Sequence, residues 1–262
     1  MFAALIALAF AADAPHKHGA DDAAAAAKEK HNLDEKAPKP KGKMIDLEIK
    51  GGKSKAYLAK PEGAAKAGIL VLHEWWGLND WIKHQADVLA EAGYLALAVD
   101  LYDGKVAADP KTAQELMGKL DEKRGDQIEE AATAWLKKET GKKVATIGWC
   151  MGGRQSLNAS LNDPKAVSAT VIYYGMPIAE VAKLKTLKGP VLGIWAKKDG
   201  WITMDKVEAF DKALTEAGIA HEFHAYDAEH AFANPSNGPK YSGKDAKDAW
   251  EKTMAFLKKN LE

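Results

Sequence analysis

The chain has one cysteine, two arginines and no long apolar run, and each scarcity excludes something. Cys150 alone rules out an internal disulfide framework and a thiolate zinc cluster. Arg124 and Arg154 leave little with which to clamp a substrate carboxylate, since all the other fixed basic charge is lysine. Neither sign of charge is in excess: 37 basic side chains face 37 acidic ones. The basic footprint of a nucleic-acid-binding protein is therefore missing, and no nucleic-acid partner is expected. The apolar run from Phe2 to Ala12 falls short of the roughly 20 residues that span a bilayer. It fits the hydrophobic part of a secretory signal peptide, with small-residue cleavage sites at Ala9-Phe10-Ala11 or Ala12-Asp13-Ala14, although no Lys or Arg precedes it. The expectation is export to the periplasm or medium with no stable membrane insertion after processing. If the run is not a signal, the protein is cytoplasmic.

From Asp13 to Lys43 the sequence is mostly Ala, Lys, Asp and Pro and reads as a disordered linker, because it has too little apolar surface to offset its ordering entropy. His16, His18 and His31 fall in this stretch among acidic residues and read as solvated, with a weak metal site as the lesser alternative. The folded domain is expected from Met44 to Glu262. Hydrophobic residues make up 47% of the chain, enough for a sizeable core. Met44–Lys50 and Lys55–Lys60 alternate around Gly51-Gly52 and predict a hairpin. Gly68–Leu72, Tyr94–Leu101, Lys143–Trp149, Ala166–Tyr174, Val191–Ala196 and His221–Ala225 predict further strands. Asn79 can cap a helix that runs through Ile82, Ala86 and Leu89 to a stop at Gly93. Ile128, Ala131, Ala132, Trp135 and Leu136 have helical spacing. A helix is expected from Gly153, and a last one with Ala246, Trp250, Thr253, Met254 and Leu257 on one face. Strands alternating with helices imply a single α/β domain whose mostly parallel sheet is covered on both faces.

The strand into Gly148-Trp149-Cys150-Met151-Gly152-Gly153 carries the strongest chemical signal. Gly-x-nucleophile-x-Gly at a strand-to-helix turn resembles the nucleophile elbow of α/β-hydrolases. The helix N-terminus there favours a thiolate and a developing oxyanion, and the Met151 N–H is one candidate oxyanion donor. The bland alternative is that Cys150 is a small buried hydrophobe. In this fold the acid and then the histidine follow the nucleophile along the chain. Asp199 lies just beyond the strand Val191–Ala196, and His230 just beyond His221–Ala225. Asp227 and Glu229 compete with Asp199, and His221 and His224 with His230, each from a poorer position. The loop His73-Glu74-Trp75-Trp76-Gly77 is expected to supply the second oxyanion donor. Glu74 there reads as a charge that tunes the thiol or as a solvated loop residue; His73 reads as packing or capping. Trp75, Trp76, Trp201 and Tyr102 either form an aromatic mouth or belong to core and rim.

The segments Leu72-His-Glu-Trp-Trp-Gly, Gly148-Trp-Cys-Met-Gly-Gly, Asp199-Gly-Trp-Ile and Glu229-His-Ala-Phe together resemble the dienelactone hydrolase (carboxymethylenebutenolidase) family, from about Met44 to the C-terminus. The resemblance implies a Cys150–His230–Asp199 triad with oxyanion donors on the backbone of Trp75 and Met151. It also implies that Glu74 contacts the resting thiol and takes part in its substrate-induced ionisation. Family members that cleave dienelactone hold its carboxylate with two arginines. Here Asp103 and Gly104 stand at one of those positions and Asn234 at the other. A neutral amide at Asn234 is a weaker anchor, and Lys105, Lys197 or Lys198 would have to supply any positive charge. The expected activity is hydrolysis of a small ester or lactone through an acyl-enzyme, with no metal or organic cofactor, in a monomer. Substrate-binding residues are expected at Trp76, Tyr102, Trp201 and Asn234. Other readings are a thioesterase, acyl transferase or peptidase on the same fold, and an exported binding protein without turnover.

Overall fold

The computed structural model describes residues 37–262; the apolar leader, most of the expected linker, and His16, His18 and His31 lie outside them. Among the described residues eight strands form one sheet in the order β1-β2-β4-β3-β5-β6-β7-β8. They are β1 (Lys43–Ile49), β2 (Gly52–Ala59), β3 (Gly68–Leu72), β4 (Leu95–Val99), β5 (Val144–Trp149), β6 (Val167–Tyr173), β7 (Val191–Ala196) and β8 (His221–Tyr226). β2 runs antiparallel to β1 and β4, and the pairings from β4 through β8 are parallel. This is the expected α/β-hydrolase architecture in a single domain.

The central strands are short because each is buried on both faces. Every residue of β3, β4 and β5 is buried, which is why they read as continuous apolar runs. The period of two then sorts their side chains between layers. Ile69 and Val71 face α1 (Asp80–Glu91) and the C-terminal helix, whereas Leu70 and Leu72 face the opposite layer with Ile128, Ala132 and Leu136. Asn79 caps α1 as expected, its Oδ1 accepting from the Ile82 N–H at 3.1 Å. The next helices are α2 (Pro110–Gly118), α3 (Glu122–Thr140), α4 (Met151–Asn162), α5 (Val181–Leu184), α6 (Met204–Ala217) and α7 (Gly243–Leu261).

Three expectations need correcting. The linker does not extend to Lys43. The Lys41 N–H donates to Asp87 Oδ2 at 2.9 Å, the Gly42 N–H to the Tyr57 hydroxyl, and β1 starts at Lys43 itself. Asp87 is a buried carboxylate on α1, and these residues help to satisfy it. The helix after the elbow starts at Met151, two residues earlier than expected. On α7 the fully buried stripe is Ala249, Thr253, Phe256, Leu257 and Leu261, with Trp250 and Met254 only half-buried at its margin. No helix among the described residues is long and apolar enough to cross a membrane.

Candidate active site

The carboxyl ends of β3 to β8 converge on Cys150. β5 ends at Trp149, α4 begins at Met151, and Cys150 makes the whole reversal with φ 55° and ψ −118°. An L-residue held there stores on the order of 1–3 kcal/mol of strain, so the surroundings must fix it. Glycine makes that packing possible. A Cβ on Gly148 would lie 1.9 Å from the Gly152 carbonyl oxygen, and one on Gly152 would lie 2.2 Å from that of Leu72. The Cys150 N–H donates to the Tyr173 carbonyl at 3.0 Å, which ties the turn to β6. The thiol is half-buried at the N-terminus of α4, whose first N–H groups have no intrahelical acceptor.

Asp199 and His230 meet as chain order suggested. Asp199 is buried; its Oδ1 accepts from the N–H groups of Trp201 at 2.8 Å and Ile202 at 3.0 Å. Its Oδ2 lies 2.6 Å from His230 Nδ1. Burial works against its charge, but His230 and the two backbone donors outweigh it and hold the carboxyl below its usual value. With Nδ1–H committed to Asp199, Nε2 is the nitrogen turned to Cys150. That nitrogen is buried, has no other partner and is close enough to the thiol to interact with it. Burial disfavours the imidazolium, yet the charges of Cys150 and Asp199 prevail and push His230 up to about 10. The competitors are engaged elsewhere. His221 pairs with Asp211 and His224 with Glu222, while Asp227 and Glu229 form exposed pairs with Lys198 and Lys240.

Glu74 is 2% exposed and is not a solvated loop residue. Its Oε2 accepts from Asn234 Nδ2 at 2.6 Å, and its Oε1 has no partner. Burial raises its pKa to about 7, against the opposing pull of the Asn234 amide and the His230 charge. Asn234 thus binds Glu74 through one amide N–H, and its Oδ1 accepts from the Ser236 N–H at 2.9 Å. His73 is a strut: its ring spans the Glu74 carbonyl (2.6 Å) and the Leu101 N–H (3.1 Å), and burial lowers its pKa. Trp76 is packed with Ala107 and Ala113, and Tyr102 is buried with its hydroxyl donating to Met151 Sδ at 3.1 Å. Both are wall rather than mouth. Trp75 is half-buried edge-on to Trp76, and Trp201 is 59% exposed with its ring 5.1 Å from that of His230. The aromatic mouth therefore reduces to Trp201, with Trp75 beside it.

One residue was missed. Tyr174 is fully buried just past the end of β6, with φ 37° and a hydroxyl that finds no acceptor, although the backbone N–H of Ala233 is turned to its oxygen. Its ring lies 5.2 Å from that of His230. It read as the last apolar residue of a strand. Its one cue was its place at the carboxyl end of the strand next to the elbow.

Comparison with known proteins follows the same geometry. The profile of the "Dienelactone hydrolase family" matches residues 54–261. The chain belongs to the dienelactone hydrolase family. Among its relatives, Protein usf of Aquifex pyrophilus is 34% identical over 84% of this chain and 99% of its own length. A candidate carboxymethylenebutenolidase of Aquifex aeolicus is 33% identical, again over 84% of this chain and 99% of the relative. The crystal structure of a candidate dienelactone hydrolase from Klebsiella pneumoniae superposes with a TM-score of 0.72 at 27% identity, covering 82% of this chain and 98% of that one. Asp103, at one of the positions expected for an arginine, is paired at 2.7 Å with Arg124, one of the chain's two arginines.

Proposed function

We propose that this dienelactone hydrolase family member cleaves small uncharged esters or lactones through a Cys150–His230–Asp199 triad and a thioester acyl-enzyme. The family membership makes it a hydrolase of esters or lactones. The observation that supports the finer reading is the 2.6 Å Asp199–His230 bond behind a buried Nε2 that faces the strained elbow cysteine. The Cys150 thiolate attacks the substrate carbonyl carbon, and a C–S bond forms. The oxyanion is held by the N–H groups of Trp75 and Met151; one such donor contributes about 2.7–4 kcal/mol in a measured case. Collapse breaks the C–O bond, and His230 gives its proton to the leaving alkoxide. His230 then takes a proton from water, whose oxygen attacks the thioester. The C–S bond breaks, the acid departs and the thiolate returns. Asp199 keeps the ring in the tautomer this needs.

The charge balance of the site supports an uncharged substrate. Glu74, Asp199 and the thiolate are three acidic groups against the one imidazolium of His230, Asn234 is a neutral amide already bound to Glu74, and Arg124 is paired with Asp103. Trp201 offers an exposed apolar face for the acyl or leaving group. Hydrolysis of p-nitrophenyl acetate by the purified protein, beside Cys150→Ala, tests the reading; equal rates for the two proteins would end it. Export of the processed enzyme is part of the same proposal, and N-terminal sequencing of protein from a native host checks it.

A further inference from the structure

Four residues other than glycine have positive φ among the described residues: Asp103, Cys150, Tyr174 and Ala231. Three of them are at this site, with Ala231 following His230. Seven buried side-chain nitrogen or oxygen atoms lack a hydrogen-bond partner among the described residues, and Glu74 Oε1, Tyr174 Oη and His230 Nε2 are three of them. Strain and unmet polarity thus gather around one thiol, and the triad explains only part of both. Trp149 and Tyr173 are register partners in β5 and β6, so Cys150 and Tyr174 leave the sheet side by side. Gly175 fixes the second turn against the first: a Cβ there would lie 2.4 Å from the Gly153 carbonyl carbon and 2.5 Å from the Arg154 nitrogen. A bulky side chain at φ 37° is costly, and here it ends in a hydroxyl without an acceptor. An apolar ring would fill the same space without that cost.

We propose that Tyr174 is a catalytic hydrogen-bond donor whose phenol O–H binds the Cys150 sulfur when it is ionised, and so stabilises the thiolate over the thiol. This rests on Cys150 being the nucleophile. The other groups facing the sulfur do not supply that bond. Tyr102 from the loop after β4 gives its hydroxyl to Met151, and Glu74 from the loop after β3 is solely an acceptor once ionised, above about pH 7. His230, oriented by Asp199, must keep its proton for the leaving group. Burial first, then the charges of Glu74 and Cys150, hold the Tyr174 phenol well above its usual value, so it remains a donor throughout the working range. When acylation removes charge from sulfur, the O–H turns to Oε1 of Glu74.

Cys150 is the only cysteine, so iodoacetamide alkylation of the full chain reports its ionisation directly. A hydrogen bond to a charged group is worth about 1.5–3 kcal/mol, so Tyr174→Phe is expected to raise the midpoint of the alkylation–pH profile by about 1–2 units. Tyr173→Phe is the control: that hydroxyl meets Thr253 at 2.7 Å, and its loss leaves the midpoint in place. A Tyr174→Phe profile that overlays the wild type, or an equal shift in Tyr173→Phe, overturns the proposal. If Tyr174→Phe does not fold, 3,5-difluorotyrosine at position 174 decides. The stronger donor lowers the midpoint, and an unmoved midpoint refutes the proposal. Esterase activity that survives in Cys150→Ala would instead overturn the nucleophile assignment, so the two failures are distinguishable.

Discussion

Glu74→Gln isolates the cost of a carboxyl group buried near His230 and bound to Asn234. Glu74 is fully enclosed, Asn234 binds one of its oxygens, and burial lifts its pKa from 4.5 to about 7. At 1.36 kcal/mol per unit, that displacement is worth about 3 kcal/mol. The folded state favours the protonated form, so its stability is complete below the unfolded value near 4.5 and is lost as pH rises towards 7. Glutamine cannot ionise, yet its carbonyl can still accept from Asn234. Urea unfolding of both proteins at about pH 4 and about pH 8 gives a double difference in which groups common to both cancel. The variant is expected to gain about 3 kcal/mol on the wild type between the two conditions. A double difference near zero, or of opposite sign, would refute the claim that Glu74 is held as a buried, near-neutral acid.

Asp199→Asn removes the group that orients His230, and kcat for ester hydrolysis is expected to fall by up to about 10⁴, the loss measured for the equivalent change in a serine protease; an unchanged kcat would detach Asp199 from the chemistry. Gly152→Ala places a Cβ 2.2 Å from the Leu72 carbonyl oxygen, and thermal unfolding should show a loss of about 3 kcal/mol or more, or no soluble protein. A wild-type melting curve in that variant would contradict the close approach of α4 to β3. For a p-nitrophenyl ester pair that differs only by a carboxylate on the acyl chain, kcat/KM should favour the uncharged member. Preference for the anion would show that the site has a cation that the charge argument overlooked.

What could be read from the sequence was what is local. The buried runs Gly68–Leu72 and Val191–Ala196 match their strands residue for residue, because burial on both faces removes any alternation that could mislead. Asn79 and the elbow glycines were legible because caps and tight turns need particular residue types. α2 was missed because Ala113 is its one fully buried side chain, leaving little periodic signal. α6 has helical spacing in Val207, Phe210 and Leu214, and was there to be read. The rest depends on long-range packing. Nothing near Asn234 in the chain points to Glu74, 160 residues away, as its partner. Trp76 and Tyr102 are aromatic beside a site, which fits a wall as well as a mouth, and only their burial separates the two. Tyr174 looks like core in sequence and becomes conspicuous through its unsatisfied hydroxyl.

The central claim is that Cys150 forms the acyl-enzyme. Intact-protein mass spectrometry after rapid mixing with p-nitrophenyl acetate, followed by peptide mapping, tests it directly. One acetyl group is expected on Cys150 that appears before steady state, disappears as substrate is exhausted, and is absent from Cys150→Ala together with the activity. An acetyl group on another residue that turns over at the catalytic rate, or full hydrolysis by Cys150→Ala, would contradict it.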